Sequence, residues 1–359
     1  MKTSLSTLAL LAMAAAPAVA VRAETTLYGS ARVGIAYTER DRSPTGASID
    51  DGGFWDVRDE GGSRLGVRGS EDLGGGLSAI YQYEFGVNID GKADGNPFNQ
   101  RLSWVGFKGD FGQVTVGRQW TVYNNSVAFD GVWNSDDTTS TFYQLGGPYR
   151  VSNMIMYTTP NLSGFSASGA VVIDGAGSHD SANDSLSTKD GIDMYDIGAT
   201  YTNGPLRLGA AYRKYEGRVL GDAGQNFYGA GDSLWGVAAA YKFGGVFNLI
   251  GVYQQAETDL RVEGASPRAY SLTGEYSFGA NTLRAAVGRM DLDKLAASYG
   301  REDENQDIWK VGYQYDFSKR TRAWIEYGDY DFSSFSNNAN GFQQGFDYSN
   351  LSIGMRHDF

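Results

Sequence analysis

The chain has 359 residues, 49 glycines, 23 tyrosines and no cysteine, and its formal charge at pH 7 is -12. The lack of cysteine excludes disulfides, thiolate metal sites and cysteine nucleophiles, while the abundance of glycine and aromatic residues is typical of a turn-rich all-β protein. We expect no nucleic-acid partner for this acidic chain.

The first element along the chain is a predicted export signal over residues 1–23. Lys2 gives a positive start, an apolar run follows from Leu5 to Ala20, and Val21-Arg22-Ala23 offers a small-x-Ala cleavage site, with 18–20 as a second candidate. The run is too short for a membrane-spanning helix, and no apolar run of 18 residues follows it. We therefore expect a signal peptide at 1–23 and a single β-barrel domain at 24–359.

Beyond the signal, apolar and polar residues alternate with a period of two in sixteen segments. In the clearest of them, Trp235, Val237 and Ala239 share one face, opposite Gly236 and Ala238. Such alternation predicts strands with one apolar face. The segments lie at 27–37, 64–69, 77–85, 101–107, 114–118, 151–159, 165–173, 195–201, 206–213, 235–243, 247–255, 270–278, 283–290, 309–317, 321–330 and 351–359.

The connections between these segments alternate strictly between seven short turns and eight long loops. Short turns at one end and long loops at the other are typical of outer-membrane barrels, whereas a soluble β-sandwich has no reason for that order and needs two inner apolar faces. Aromatic rings at the strand ends beside the short turns fit the membrane–water boundary. We therefore predict an all-β fold, a sixteen-stranded antiparallel transmembrane β-barrel with short periplasmic turns and long external loops.

The stretch from Gln119 to Arg150 breaks the alternation and carries several aromatic residues together with Asp130, Asp136 and Asp137. A connection of this length without regular pattern is unusual and often functional. Our hypothesis is that it folds back into the barrel and narrows the pore; the alternative is an ordinary surface loop.

Several motifs resemble the Gram-negative general porin family. They are the stretch 63–77 (SRLGVRGSEDLGGGL), 105–112 (VGFKGDFG), 116–119 (VGRQ), the start 27–29 (LYG), the turn 318–321 (SKRT), the paired glycines 146–147 and the end 354–359 (GMRHDF). The resemblance implies a sixteen-stranded barrel in the bacterial outer membrane, a homotrimer, a third external loop folded into the lumen, and passive diffusion of ions and small hydrophilic solutes. Phe359 resembles the terminal signal that the barrel assembly machinery reads, and outer-membrane lipid and lipopolysaccharide would surround the barrel.

Five arginines fall on the predicted inward face of the first five strands: Arg32, Arg64, Arg68, Arg101 and Arg118. The resemblance places Arg64, Arg101 and Arg118 in a basic ladder, with the acids Asp130, Asp136 and Asp137 of the central loop opposite. Opposed charges across a narrow, water-filled gap create a strong transverse field that tunes selectivity. The alternative is structural pairing of these arginines with Glu84 or other acids nearby.

The predicted external loops are acidic, with seven carboxylates in 38–62. An acidic mouth enriches cations and could bind divalent ions shared with lipopolysaccharide, or it could only keep the loops soluble. It favours a weak cation preference, against which the arginine ladder acts. We expect no other cofactor.

Other functional classes have less support in the sequence. The two histidines, His179 and His357, have no Ser or Asp constellation around them, so we expect no enzyme. A plugged structural barrel and a substrate-specific channel stay as alternatives to a general diffusion pore, and conductance and solute-size measurements would distinguish them.

Overall fold

In the computed structural model the described residues are 23–40, 53–59, 62–91, 96–135, 145, 147–173, 191–217, 219, 228–258, 263–294, 305–332, 337–338, 341–342 and 346–359. The strands are β1 (Ala23–Arg40), β2 (Phe54–Arg58), β3 (Arg64–Gly74), β4 (Leu77–Val87), β5 (Phe98–Gly109), β6 (Gly112–Trp120), β7 (Arg150–Thr158), β8 (Phe165–Ile173), β9 (Ile192–Asn203), β10 (Leu206–Tyr215), β11 (Ser233–Phe243), β12 (Phe247–Glu257), β13 (Arg268–Phe278), β14 (Asn281–Asp291), β15 (Asn305–Asp316), β16 (Thr321–Phe332), β17 (Asn337–Asn338), β18 (Gly341–Phe342) and β19 (Phe346–Asp358). Helix α1 spans Val122–Val127. Among the described residues, no helix has the length and apolar character needed to span a membrane.

Sixteen strands form one closed antiparallel barrel, as the sequence predicts. Each pairs with its neighbour along the chain, and β19 closes the ring by pairing with both β16 and β1. At the closure the backbones of Gly29 and Phe359 exchange two hydrogen bonds of 3.0 and 3.1 Å. Closure leaves every barrel strand paired on both sides, which is how a membrane-spanning sheet satisfies its backbone.

Three short strands lie outside the sixteen and were not predicted. Strand β2 pairs with the long-loop end of β1, and β17 and β18 pair only with each other. All three lie within stretches that the alternation assigns to long loops, because so few residues carry too little pattern to indicate a strand.

The outward face of the barrel is an exposed apolar band. On β11, Trp235, Val237 and Tyr241 are exposed, whereas Leu234 and Ala238 of the opposite face are buried. Aromatic rings cluster beside the short turns, with ring centroids 4.6 Å apart for Tyr241–Phe243, 5.5 Å for Tyr276–Phe278 and 5.0 Å for Tyr315–Phe317. An apolar belt with an aromatic girdle is the surface that lipid requires.

The buried apolar core lies inside the barrel rather than between two sheets. It combines α1 with inward residues of the wall, among them Met154, Met194, Leu234 and Ile250. The lumen is therefore partly filled by protein.

The described strand bounds also reproduce the predicted alternation of short and long connections. Strand β1 begins at Ala23, and residues 1–22 lie outside the described part of the chain. The signal peptide over 1–23 and the domain start at 24 therefore stay predictions.

Candidate functional site

The stretch 119–150, called the central segment below, leaves the wall at a bulge at the end of β6. The register with β7 shifts between Gly117 and Gln119. The buried side chain of Gln119 accepts a hydrogen bond from Thr115 Oγ1 (2.6 Å) and donates one to the Met154 carbonyl (3.3 Å). Thr121 then caps α1, since its hydroxyl accepts from the Asn124 amide at 3.2 Å. This local chemistry turns the chain inward instead of extending β6.

Helix α1 lies against inward-facing glycines of β9, β10 and β11. A Cβ added at Gly198 would lie 2.5 Å from Ser126 Oγ, at Gly209 1.9 Å from the Ser126 carbonyl oxygen, and at Gly236 2.4 Å from the Tyr123 hydroxyl. Because only glycine permits so close an approach of the two backbones, these positions form a groove that fits the helix.

A buried ion pair holds both ends of the segment. Asp196 and Arg213 have 0% exposed side chains and are joined by Asp196 Oδ2 and Arg213 Nη2 at 2.9 Å. Asp196 also accepts the Tyr123 backbone amide at 3.1 Å, and Arg213 donates to the Pro148 carbonyl at 3.1 Å. The pair thus binds the entering chain at Tyr123 and the returning chain at Pro148.

Tyr123 adds a third contact between helix and wall. Its hydroxyl donates to Gln254 Oε1 on β12 at 2.8 Å. Burial raises the pKa of Tyr123 well above its ordinary value, so the hydroxyl stays neutral and keeps its proton for this bond.

Beyond α1 the segment continues along the inner wall to β16, and polar contacts hold it there. The carboxylate of Glu326 accepts the backbone amides of Asn134 (3.0 Å) and Ser135 (2.8 Å), and the Asn134 side chain donates to Gln314 at 2.9 Å. Lys310 Nζ lies 5.3 Å from the centroid of the Trp133 ring. Residues 121–135 therefore cross the lumen-facing surface from β9 to β16.

Arginines line the inward face of the strands that the segment leaves uncovered. Arg101 Nε lies 2.6 Å from Glu84 Oε1, and Arg64 Nη1 lies 3.8 Å from the same oxygen. Arg150, at the end of the segment, stacks over the rings of Trp120 (4.8 Å) and Tyr149 (4.9 Å). Arg64 is close enough to Arg101 and Arg150 for their like charges to repel one another. These side chains form a basic cluster at the long-loop end of the lumen.

A second arginine cluster lies towards the short-turn end. In the strand register Arg32 on β1 is directly opposite Arg356 on β19, which is directly opposite Arg322 on β16. Arg32 interacts electrostatically with both and with Arg64. Arg32 of the second cluster is therefore close to Arg64 of the first.

The five predicted wall arginines differ in their surroundings. Arg32, Arg64 and Arg101 belong to these two clusters. Arg68 is exposed and lies over the Tyr28 ring at 5.2 Å, and Arg118 lies in the β6 bulge with Nη1 3.4 Å from Ser152 Oγ. Their role at a constriction stays a prediction.

The structure describes only one of the three predicted loop acids. Asp130 is 2% exposed and faces the wall, with Oδ2 3.5 Å from Ser271 Oγ and an electrostatic interaction with Lys310. Asp136 and Asp137 lie outside the described residues. The burial of Asp130 favours attachment of the segment over contact with solutes.

Several residues with key positions were not selected from the sequence: Arg150, Asp196, Arg213, Arg322, Glu326 and Arg356. All except Arg150 lie within the predicted strand segments, on the face opposite the apolar stripe, so a charged residue on an inward face was the available signal. The glycine groove gave no signal, because glycine is frequent throughout the chain.

No group of three or more His, Asp or Glu side chains that could hold a metal is found in the described ranges. Most of the acidic stretch 38–62 lies outside those ranges. A divalent ion at the external loops stays a prediction.

Comparisons with known proteins agree with this architecture. A family model described as Gram-negative porin matches residues 7–338. The chain is 30% identical over 397 residues to outer membrane porin protein 32 of Delftia acidovorans, covering 100% of both chains. The anion-selective porin from Comamonas acidovorans has a similar structure, with a TM-score of 0.70 at 24% identity, over 94% of this chain and 100% of that one. The trimer form of the outer membrane protein OmpT of Vibrio cholerae gives a TM-score of 0.63 at 17% identity, over 94% and 99% of the two chains. At these identities the two structural matches show the fold.

Proposed function

The chain belongs to the Gram-negative porin family and is a passive diffusion channel of the bacterial outer membrane, not an enzyme; we propose that its pore prefers anions, because arginines of neighbouring strands cluster on the inward face of the wall. The proposed anion preference is opposite to the weak cation preference that the acidic loops favour in the sequence. The observation that carries the proposal is the uncovered half of the lumen, where arginines of β1, β3, β5 and β19 converge.

The balance of charge in this half supports the proposal. Glu84 lies within 4 Å of both Arg64 and Arg101, so one carboxylate is shared by two guanidiniums. Asp358 is likewise shared by Arg356 (2.6 Å) and Arg322 (3.9 Å). Arg322 also lies 3.7 Å from Asp316 Oδ1, so the three guanidiniums of Arg32, Arg356 and Arg322 have two carboxylates nearby. Each arginine group therefore has more guanidiniums than carboxylates.

The narrow part of the pore should decide the sign more than the mouth does. Charges on exposed loops are screened over a Debye length of about 8–10 Å at ordinary ionic strength. Charges beside a gap with low-dielectric walls are screened much less. The guanidinium group stays positive at every working pH, so the preference should not depend on titration of the wall.

The test is the reversal potential of the purified channel in a planar bilayer with a tenfold KCl gradient. We expect the sign of an anion-preferring pore, and a shift towards cations in Arg64→Gln. The double variant Arg101→Gln with Glu84→Gln removes one charge of each sign, so it should shift the potential less than Arg64→Gln.

Arg289→Gln is the matched control, because Arg289 is 44% exposed on the outward face and pairs with Asp307 there. Its reversal potential should equal that of the unmodified channel. A cation-preferring channel, or an unchanged potential in Arg64→Gln, would contradict the proposal.

The acids of the segment should reduce the proposed anion preference. Asp136 and Asp137 would oppose the arginine wall, so replacing both with Asn should lower the cation/anion permeability ratio. Asp130→Asn should change this ratio less, because its carboxylate is buried against the wall. A reversal potential that does not respond to replacement of 136 and 137 would remove these acids from the constriction.

The range of solutes separates a general pore from a substrate-specific channel. A general pore should admit sugars and amino acids at rates that fall smoothly with size in a liposome-swelling assay. Swelling with one chemical class alone would favour the substrate-specific alternative.

The assembly of the protein is proposed by the same family argument. A homotrimer is supported by the fold shared with a protein solved in trimer form. Phe359, whose backbone pairs with Gly29 at the barrel closure, would be read by the barrel assembly machinery, and lipopolysaccharide would surround the long-loop end. Deleting Phe359 should lower the amount of trimer in the outer membrane, which gel migration of unheated samples measures.

A further inference from the structure

The cluster of Arg32, Arg356 and Arg322 has an arrangement that a sheet does not favour by itself. Like charges on directly opposite residues of neighbouring strands are destabilising. Here two such pairs follow one another, Arg32 opposite Arg356 and Arg356 opposite Arg322. All three are on the lumen side, since their strand neighbours Val33 and Met355 are exposed on the outward face.

Protein carboxylates compensate this cluster only in part. Arg356 Nε lies 2.6 Å from Asp358 Oδ1, which is a full ion pair. Arg322 lies 3.9 Å from Asp358 Oδ2 and 3.7 Å from Asp316 Oδ1, both beyond hydrogen-bond distance. The described chain supplies no hydrogen-bond partner for the buried Nε of Arg32 or of Arg322. Two of the three guanidiniums thus have donor capacity that the surrounding protein does not use.

We propose that Arg32, Arg356 and Arg322 form a binding site for a small oxyanion that carries two negative charges, of the phosphate or sulfate class. A tetrahedral oxyanion has several acceptor oxygens, so it can accept from two or three guanidiniums at once, in the forked geometry that arginine favours. Chloride offers a single centre with half the charge and gains less from the same cluster. The inference rests on the proposed anion preference and adds a discrete binding site within the lumen.

The position of the site gives it a role in passage. Arg322 is the second residue of β16 after the short turn, and Arg356 is three residues from the end of the chain. Arg32 connects them to Arg64, which interacts with Arg101 and Arg150 further along the lumen. An oxyanion that passes the basic cluster at the long-loop end would therefore meet this site before it leaves at the short-turn end.

The experiment measures chloride conductance of the purified full-length channel in planar bilayers while sulfate is added to a constant KCl background. A binding site in the path predicts that chloride conductance falls and saturates as sulfate rises. In Arg356→Gln and in Arg322→Gln the half-blocking sulfate concentration should rise about tenfold, the change expected from the loss of one guanidinium–oxyanion contact. Arg356→Lys keeps the charge without the fork, so it should lie between the unmodified channel and Arg356→Gln.

Arg289→Gln on the outward face is the control and should leave the block unchanged. Each variant is first required to run as folded oligomer in unheated gels, and Arg322→Gln and Arg356→Lys serve if Arg356→Gln does not fold. A saturable block that is equal in all folded variants would overturn the site.

The same channels are also measured in a KCl gradient, which separates the two proposals. Anion preference in KCl without saturable sulfate block would overturn the site and leave the proposed function intact. Cation preference in KCl would overturn the proposed function, and the site with it.

Discussion

The two halves of the lumen wall have opposite chemistry. From β8 to β16 the inward face carries glycines, apolar side chains and a few charged anchors, and residues 121–135 lie on it. Across β19, β1, β3 and β5, and at Arg322 near the short-turn end of β16, the inward face carries arginines, and of the described segment only its two ends, at Trp120 and Arg150, lie beside them. One half of the wall binds the protein's own chain, and the other faces the water of the pore.

This difference shows how one sheet can combine stability with conduction. On the covered half the anchors are buried, so the loss of one partner leaves an uncompensated charge away from water. On the open half the arginines keep access to lumen water, so their replacement should alter ion passage more than stability. Variants on the two halves should therefore differ in how much stability they lose.

Arg213→Met should have the largest effect on stability. It leaves Asp196 buried without its cation and frees the Pro148 carbonyl, at a cost of about 3–5 kcal/mol in the free energy of unfolding. Guanidinium denaturation in detergent, followed by tryptophan fluorescence, measures this. Arg289→Met is the control, because its exposed pair with Asp307 should contribute only about 0–1 kcal/mol. Equal losses in the two variants would remove the distinction between the halves.

Glu326→Gln should weaken the attachment of the segment at β16. The charge-assisted hydrogen bonds from Asn134 and Ser135 become neutral, and such bonds contribute about 1.5–3 kcal/mol. We expect greater fluctuation of the open-channel current, because the segment leaves its place more often. Asp329→Asn, on the outward face of the same strand, should give the noise of the unmodified channel; the same noise in Glu326→Gln would show that this anchor is dispensable.

Gly209→Ala should disturb the helix groove. The new Cβ would lie 1.9 Å from the Ser126 carbonyl, so α1 must move towards the lumen at a cost of about 1–3 kcal/mol. Single-channel conductance should fall as the helix moves inward. In Gly251→Ala the nearest atoms to the new Cβ are 4.0 Å away, so conductance and stability should stay nearly constant. A normal conductance in Gly209→Ala would contradict tight packing of α1 on β10.

Tyr123→Phe should have the smallest effect, about 1 kcal/mol, through loss of the hydrogen bond to Gln254. Its effect should depend on pH. Because burial raises the pKa of Tyr123, the unfolded chain ionises first, and stability falls as the pH rises above about 10, the ordinary value for tyrosine. Thermal melts from pH 8 to 11 should therefore show a shallower alkaline loss in Tyr123→Phe. Parallel pH profiles would show that Tyr123 does not contribute.

The candidate site was only partly predictable. Arg32, Arg64 and Arg101 were found because strand alternation gives the face of each side chain. Arg322 and Arg356 have the same signal, but their grouping with Arg32 depends on register between β16, β19 and β1, which alternation along one strand does not specify. Asp130 was predicted to face the pore and lies buried against Ser271 and Lys310, since an irregular segment has no period from which to assign a face.

The barrel follows from the pattern of residues along the chain, because lipid outside and water inside impose a period of two on every strand and a closed sheet on the whole. The same pattern also determines the inward face of each strand and therefore the basic character of the wall. Which inward residues contact one another depends on how the strands align in three dimensions. The Asp196–Arg213 pair, the glycine groove and the arginine cluster are contacts between residues on different strands, and they depend on the register between neighbouring strands and, for Arg32 and Arg356, on the closure of β1 with β19.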